Sequence, residues 1–414
     1  MRLLNKPVRE VPGSNRLSLK PQAMKYNCID CNPRTPRLTR VIGKIGECVA
    51  VLLASWSFLS QAQTTTPERL FQQAVDAQQR GDDATAVIMY KALLRMHPEA
   101  VAVRVNLGAA LAQLKRFDES IEQYRIVLMA DPKNKLAQMN LALAYREDGQ
   151  LAPAIRALER LHREDPEEQQ TLILLADCYL QSRLSNDAVS LLAPLESTHP
   201  GNLSLEWLLG SALIQVGREA EGVERIEAVA VQNRSAEAYL LAGQTRLGMS
   251  QYDLAQKDAN AAMELNPQIA GLNTLLGMIQ EQTANYEAAE KSLLLGLAED
   301  PNDFNALYYL GAIYYFKRDL VKARMQLTRA LQLQPNSAQA LFEMALVTRA
   351  EGHIDEAVRD LERVTHESPA WLQPHVELSA LYYRQNRPKD GAIQKQIVDR
   401  IMSAQQQSAS QDAH

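Results

Sequence analysis

Cysteine is scarce in this chain and poorly placed for chemistry. The 414 residues hold four, and three of them, Cys28, Cys31 and Cys48, fall within the first 62 residues. Cys28-x-x-Cys31 has no second pair to complete a zinc site, and Cys178, alone beyond residue 62, excludes an internal disulfide there. Histidine is equally thin. None of the seven forms an H-x-x-x-H pair or a His/Cys cluster, and His97 and His199 each sit beside a turn proline. A Gly-rich phosphate loop and a G-x-S-x-G nucleophile turn are both missing. The chain is therefore expected to have no catalytic residues, no metal and no cofactor, and not to be an enzyme.

Basic residues are also in short supply beyond the N-terminus. Residues 1–62 carry ten Lys/Arg against three Asp/Glu, which leaves 34 basic and 46 acidic residues in the remainder, a balance of −12. A body this acidic repels phosphate backbones, so nucleic acid is not an expected partner. Long apolar runs are lacking too. The run Cys48–Leu59 is short of the ~20 residues that span a bilayer. It follows Arg34, Arg37, Arg40 and Lys44 and precedes Ser60-Gln61-Ala62, which together have the three-part layout of a secretory signal. Residues 1–62 are thus expected to be a leader cut after Ala62, with Met24 a second possible start. The mature chain would lie in the periplasm or outside the cell without membrane insertion. The alternative is an uncleaved N-terminal anchor.

What the chain does have is a period. Prolines recur at 98, 132, 166 and 200, then at 267, 301, 335 and 369. If each unit is numbered so that its proline is position 32, ten units begin at Pro67, Val101, Lys135, Gln169, Leu203, Ala236, Ala270, Phe304, Ala338 and Leu372. Every residue at positions 8 and 20 of these units is Gly, Ala or Ser, while positions 7 and 24 are mostly large and apolar. Apolar spacing predicts two helices per unit, over positions 1–14 and 15–28. Small residues at 8 and 20 would let the two helices approach closely, with positions 7 and 24 packing beside them. The proline would end the second helix, and Asn134, Asn202 and Asn336 would cap the helix that follows.

This pattern resembles the tetratricopeptide repeat family. The eighth unit carries Leu307, Leu310, Gly311, Tyr314, Ala323, Ala330 and Pro335 at the family's signature places, and the resemblance covers residues 67–402. It implies an all-α solenoid of about ten helix-turn-helix repeats, wound as a right-handed superhelix whose first helices line a groove. The expected organisation is a leader over 1–62, a solenoid over 63–402 and a polar, disordered tail over 403–414. Unit 5 departs from the pattern. It has 33 residues, Arg234 where the proline should stand, and Gly217 and Gly222, so a hinge is expected between units 5 and 6. In unit 10, Lys395 at position 24 fits a last helix with no neighbour on one side.

The chain has few aromatics, yet five fall between Tyr308 and Phe316. Tyr314 and Tyr382, at position 11, read as core. In the family, positions 2, 5, 9, 12 and 13 face the groove. That places Tyr308, Tyr315, Phe316, Phe342, Arg349, Tyr383 and Arg384 on the expected partner-binding surface, since aromatics beside arginine are favoured at binding hot spots. Position 5 is apolar in most units, which suits an apolar peptide or an amphipathic helix. The family's carboxylate clamp is absent. Asn106 and Asn140, at position 6, are similar to the groove asparagines of the O-linked N-acetylglucosamine transferase arm. The expected role is a protein-interaction adaptor or scaffold that binds a protein or peptide partner. The alternative is an accessory subunit of an enzyme or envelope assembly, such as a glycosyltransferase or a secretion or pilus apparatus.

Overall fold

The computed structural model describes residues 66–196 and 201–411. The leader with its three cysteines, and His199, lie outside the described residues. Within them the chain is all-α, with twenty α-helices in ten successive pairs that match the ten units. It divides into two compact units, one ending at Val216 and the other starting at Gly217.

The helix boundaries differ from expectation for one backbone reason. Position 15 has a positive φ in all ten repeats: glycine at 81, 149, 217 and 352, but Lys115, Arg183, Ser250, Ala284, Arg318 and Asn386 in the others. This left-handed residue ends the first helix at about position 13, and the second begins near position 17. Repeat 8 shows the closure. The first helix is Phe304–Phe316, Arg318 N–H donates to Tyr315 C=O at 3.0 Å, and Asp319 N–H donates to Tyr314 C=O at 2.9 Å. Asp319 then caps the second helix, Leu320–Leu333, by accepting from Lys322 N–H at 3.1 Å.

Small residues at positions 8 and 20 pack as their sequence pattern suggests. A methyl group on Gly311 would lie 2.5 Å from Leu327 Cγ, and one on Gly277 would lie 2.5 Å from Leu293 Cγ, so position 24 rests on the bare backbone at position 8. Where position 20 is Ser120, its hydroxyl donates to Gly108 C=O at 2.8 Å.

The prolines do more than stop a helix. Their carbonyls accept from position 4 of the next repeat: Arg104 to Pro98 at 2.7 Å, Gln138 to Pro132 at 2.8 Å, and a ring nitrogen of His375 to Pro369 at 3.0 Å. In the C-terminal unit, Arg329 and Arg363 on second helices reach Pro301 and Pro335 instead. Asn134 and Asn202 cap the following helices, but before Ala338 the cap is Ser337, not Asn336.

At four junctions position 11 joins a repeat to the one before it, at position 25. Arg125 donates to the Tyr145 hydroxyl at 2.8 Å, and Tyr179 donates to Glu159 at 3.0 Å. Tyr382 donates to Glu362 at 2.5 Å, and Arg246 donates to Glu227 at 2.7 Å. Tyr145 and Tyr382 are buried, Tyr382 as expected of a core residue, and Tyr179 is partly buried; all three keep a polar link across the repeat junction. Arg246 also donates to Asp258 at 2.6 Å, and the side chains of both are almost fully buried.

Two expectations are corrected, and the junction after repeat 5 is closed without its proline: its second helix, Glu219–Asn233, ends in left-handed Arg234, whose N–H bonds Ala230 C=O, and Ser235 caps the next helix. That second helix packs on the first helix of repeat 6, while the division between compact units falls earlier, at Gly217. In repeat 4, Pro194 interrupts the second helix after Leu192, and a short 3-10 turn covers Ala193–Glu196. The last helix, Pro388–Gln411, takes in nine residues of the segment expected to be a disordered tail. These residues are Ser, Ala and Gln without Gly or Pro, so nothing in the backbone ends the helix. Lys395 is exposed, as expected for a terminal helix.

Two stability measurements test this account. Ala284 holds φ at 60°, so Ala284→Gly should raise unfolding free energy by about 0.5–1 kcal/mol in a denaturant titration. A loss would mean that the left-handed turn is not populated. Arg246→Met should cost about 3–5 kcal/mol, because Asp258 would keep a buried charge without its partner. Adding Asp258→Asn should recover part of that loss.

Candidate partner-binding surface

The first helices of repeats 8, 9 and 10 (Phe304–Phe316, Ala338–Ala350 and Leu372–Arg384) carry all seven expected surface residues. The structure separates them into three groups.

Tyr308 and Phe342 are buried. The Tyr308 ring stacks on Phe304 at 6.2 Å between centroids and meets Tyr309 edge-on at 4.9 Å. Phe342 packs on Trp371 at 4.8 Å. Both therefore serve the cores of their repeats, contrary to the expectation of accessible rings at position 5. Burial is also the main force raising the Tyr308 phenol well above its ordinary range, with Glu343 next.

Tyr315, Arg349 and Glu377 form a chain of contacts across three successive first helices. Arg349 donates to the Tyr315 hydroxyl at 3.3 Å and is ion-paired with Glu377. All three side chains are partly exposed. The N-terminal unit has a counterpart in Arg146 and Asp177, paired at 3.2 Å. The position-12 column thus links neighbouring first helices, whereas position 11 turns back to the preceding second helix.

Phe316, Tyr383 and Arg384 are exposed but belong to the edges. Phe316 lies on Tyr286, with ring centroids 4.2 Å apart. This contact between position 13 and position 17 of the preceding repeat recurs in Gln215–Ser185 and Gln282–Tyr252. Tyr383 covers Gly391, where a methyl group would come within 2.9 Å of its ring.

Position 6 adds residues to this surface that the aromatic pattern alone does not point to. It holds Tyr309, Glu343 and Glu377, and the signal was the Asn106–Asn140 column already read as groove-facing. Glu281 at position 12 belongs with them: it acts on both Tyr308 and Tyr309, whose phenol is raised chiefly by burial and then by this carboxylate.

Among the described residues no cluster of three His, Cys, Asp or Glu could hold a metal ion. No described helix is long and apolar enough to cross a membrane. Cys178 is fully buried, and burial pushes its thiol up to about 12, so it stays protonated and unreactive.

Family models for the tetratricopeptide repeat match residues 71–135, 116–169, 145–198 and 240–304. The chain is built from tetratricopeptide repeats. Such repeats are a protein-interaction scaffold. Related proteins include the BBSome complex member BBS4 homolog of Drosophila melanogaster, 24% identical over 60% of this chain and 44% of that protein. Another is human protein O-mannosyl-transferase TMTC3, 21% identical over 76% of this chain and 36% of that protein. The chain spans less than half the length of the curated relatives it matches. Among solved structures, a tetratricopeptide repeat protein from Parabacteroides merdae aligns with TM-score 0.50 and 20% identity, over 60% of this chain and 98% of that one. The APC/C hetero-tetramer Cut9–Hcn1 aligns with TM-score 0.51 and 15% identity, over 82% and 88%. At these identities the likeness concerns the fold.

The state of Cys178 can be checked directly. In the folded chain at pH 8, alkylation mapped by mass spectrometry should leave Cys178 unmodified, and unfolding in denaturant should expose it. Rapid labelling of the native protein would contradict its burial.

Proposed function

We propose that this tetratricopeptide repeat protein is a non-catalytic adaptor that holds a protein or peptide partner on the surface formed by its first helices. The observation that carries this reading is the Tyr315–Arg349–Glu377 chain. It spans three repeats, stays partly exposed, and presents an aromatic ring with two opposite charges in fixed order. A buried core needs none of these groups, whereas aromatic and arginine side chains are common anchors in protein interfaces. The basic and apolar leader supports action in the periplasm or outside the cell.

A second reading has support from the TMTC3 likeness, which runs over most of this chain but only part of that named transferase. In it, the repeats serve as an accessory subunit of an enzyme or envelope assembly and tether a separate catalytic chain.

One capture experiment separates the two. The tagged full chain, expressed in the cells that encode it, should retain several different proteins if it is an adaptor and a single stoichiometric chain if it is a subunit. Arg349→Ala should weaken retention by about tenfold, roughly 1.4 kcal/mol, if the first-helix surface is used. Undiminished capture by that variant would move the binding site elsewhere. N-terminal sequencing of the same captured chain should begin near Gln63 if the leader is removed after Ala62.

A further inference from the structure

Position 4 lies in the first turn of each first helix. In repeats 2 and 10 it holds different residues on the same pair of acceptors. In repeat 2, Arg104 donates one guanidinium nitrogen to Pro98 C=O at 2.7 Å and another to Gln123 Oε1 at 2.9 Å. In repeat 10, one ring nitrogen of His375 lies 3.0 Å from Pro369 C=O and the other lies 2.6 Å from Gln394 Oε1. The prolines both stand at position 32 of the repeat before, and the glutamines both stand at position 23 of the second helix.

Histidine in place of arginine changes the chemistry in one respect. Arginine has donors for both oxygens at every ordinary pH, whereas imidazole has two only when it is protonated. The neutral ring carries one N–H, so its other nitrogen would turn a lone pair on an oxygen at hydrogen-bond distance. His375 is 3% exposed, so water has little access to replace the missing donor.

Among the described residues the ring is bonded to these two oxygens, and both are neutral groups. The charged groups on the helices packed against it are engaged elsewhere or face solvent. On the preceding helix, Ile354–Glu367, Glu362 accepts from Tyr382, Arg363 donates to Pro335 C=O, and His366 lies 3.5 Å from Glu367. On the last helix, Pro388–Gln411, Asp390 is held by Arg387, and Lys395 and Asp399 are exposed. On its own helix, Glu377 pairs with Arg349.

We infer that His375 is a pH-sensitive clasp that fastens the last helix to the turn joining repeats 9 and 10. Protonated, the ring holds both oxygens, as Arg104 does permanently in repeat 2. Neutral, it holds one and releases the other. Acid therefore tightens the end of the stack and rising pH loosens it, over the range of about pH 5–8 in which histidine changes charge. A terminal repeat has a neighbour on one side only, so the loss of one bond matters most there. This repeat also carries Glu377, the last member of the Tyr315–Arg349–Glu377 chain.

Hydrogen exchange of the purified full chain, read by mass spectrometry, tests the clasp. The quantity is the protection of residues 392–402 relative to that of Leu320–Leu333, the second helix of repeat 8, which cancels the intrinsic effect of pH on exchange. This ratio should fall about tenfold between about pH 5.5 and about pH 8. His375→Gln supplies the neutral side chain that Gln138 provides at position 4 of repeat 3, and should remove the fall. His375→Arg, on the pattern of Arg104, should remove it too and hold the ratio at its acid value. Circular dichroism checks that each variant keeps its helices. A ratio that stays level or rises in the unmodified chain overturns the inference, as would follow if Gln394 turned its amide to donate to a neutral ring. A fall that persists in the folded His375→Gln chain also overturns it and assigns the pH response to another group.

Discussion

Several repeats depend on one close approach: the side chain at position 24 rests on the backbone of a glycine at position 8, as Tyr124 does on Gly108. Leu327 on Gly311 and Leu293 on Gly277 show how little room remains, since a single added carbon would lie 2.5 Å from its neighbour. This contact fixes how the two helices of a repeat cross. Once they are fixed, every other face of the first helix has an assigned direction. Position 11 turns to the preceding second helix, positions 6, 9 and 12 turn toward neighbouring first helices, and position 13 reaches the edge at position 17 of the repeat before. The binding surface is what these packing demands leave over.

The repeats were legible in the sequence because they rest on columns of identical character. Proline at position 32 and small residues at 8 and 20 are steric requirements, and sterics admit few substitutes. The left-handed residue at position 15 was not legible, although it is equally regular. Six of its ten occurrences are not glycine, and the turn is enforced by backbone bonds such as Asp319 N–H to Tyr314 C=O, which leave no side-chain signature. The backbone cap at the junction after repeat 5 was not legible for a related reason. Arg234 takes up at the backbone a role that proline fills elsewhere by its ring.

The surface was half legible. A column number says which way a side chain starts, not what meets it. Tyr308 and Phe342 start toward the surface, but Phe304 and Trp371 close over them, and Phe316 finds Tyr286 on another helix. Partners supplied by neighbouring helices are invisible in a single repeat. The same limit hid the links between positions 11 and 25. Tyr145, Tyr179 and Tyr382 look like plain core residues until their hydroxyls meet Arg125, Glu159 and Glu362.

Repeat 5 has a consequence for how such a chain changes length. It is one residue shorter than its neighbours, yet its second helix is 15 residues long where most others have 14. The missing residue was taken from the junction, by exchanging a proline-terminated turn for a left-handed cap. A residue lost inside a helix would instead rotate everything after it by about 100° and send the position-12 column into the core. Junctions of this kind act as expansion joints. Single-residue insertions and deletions can collect there over evolutionary time while the surface columns on either side keep their phase.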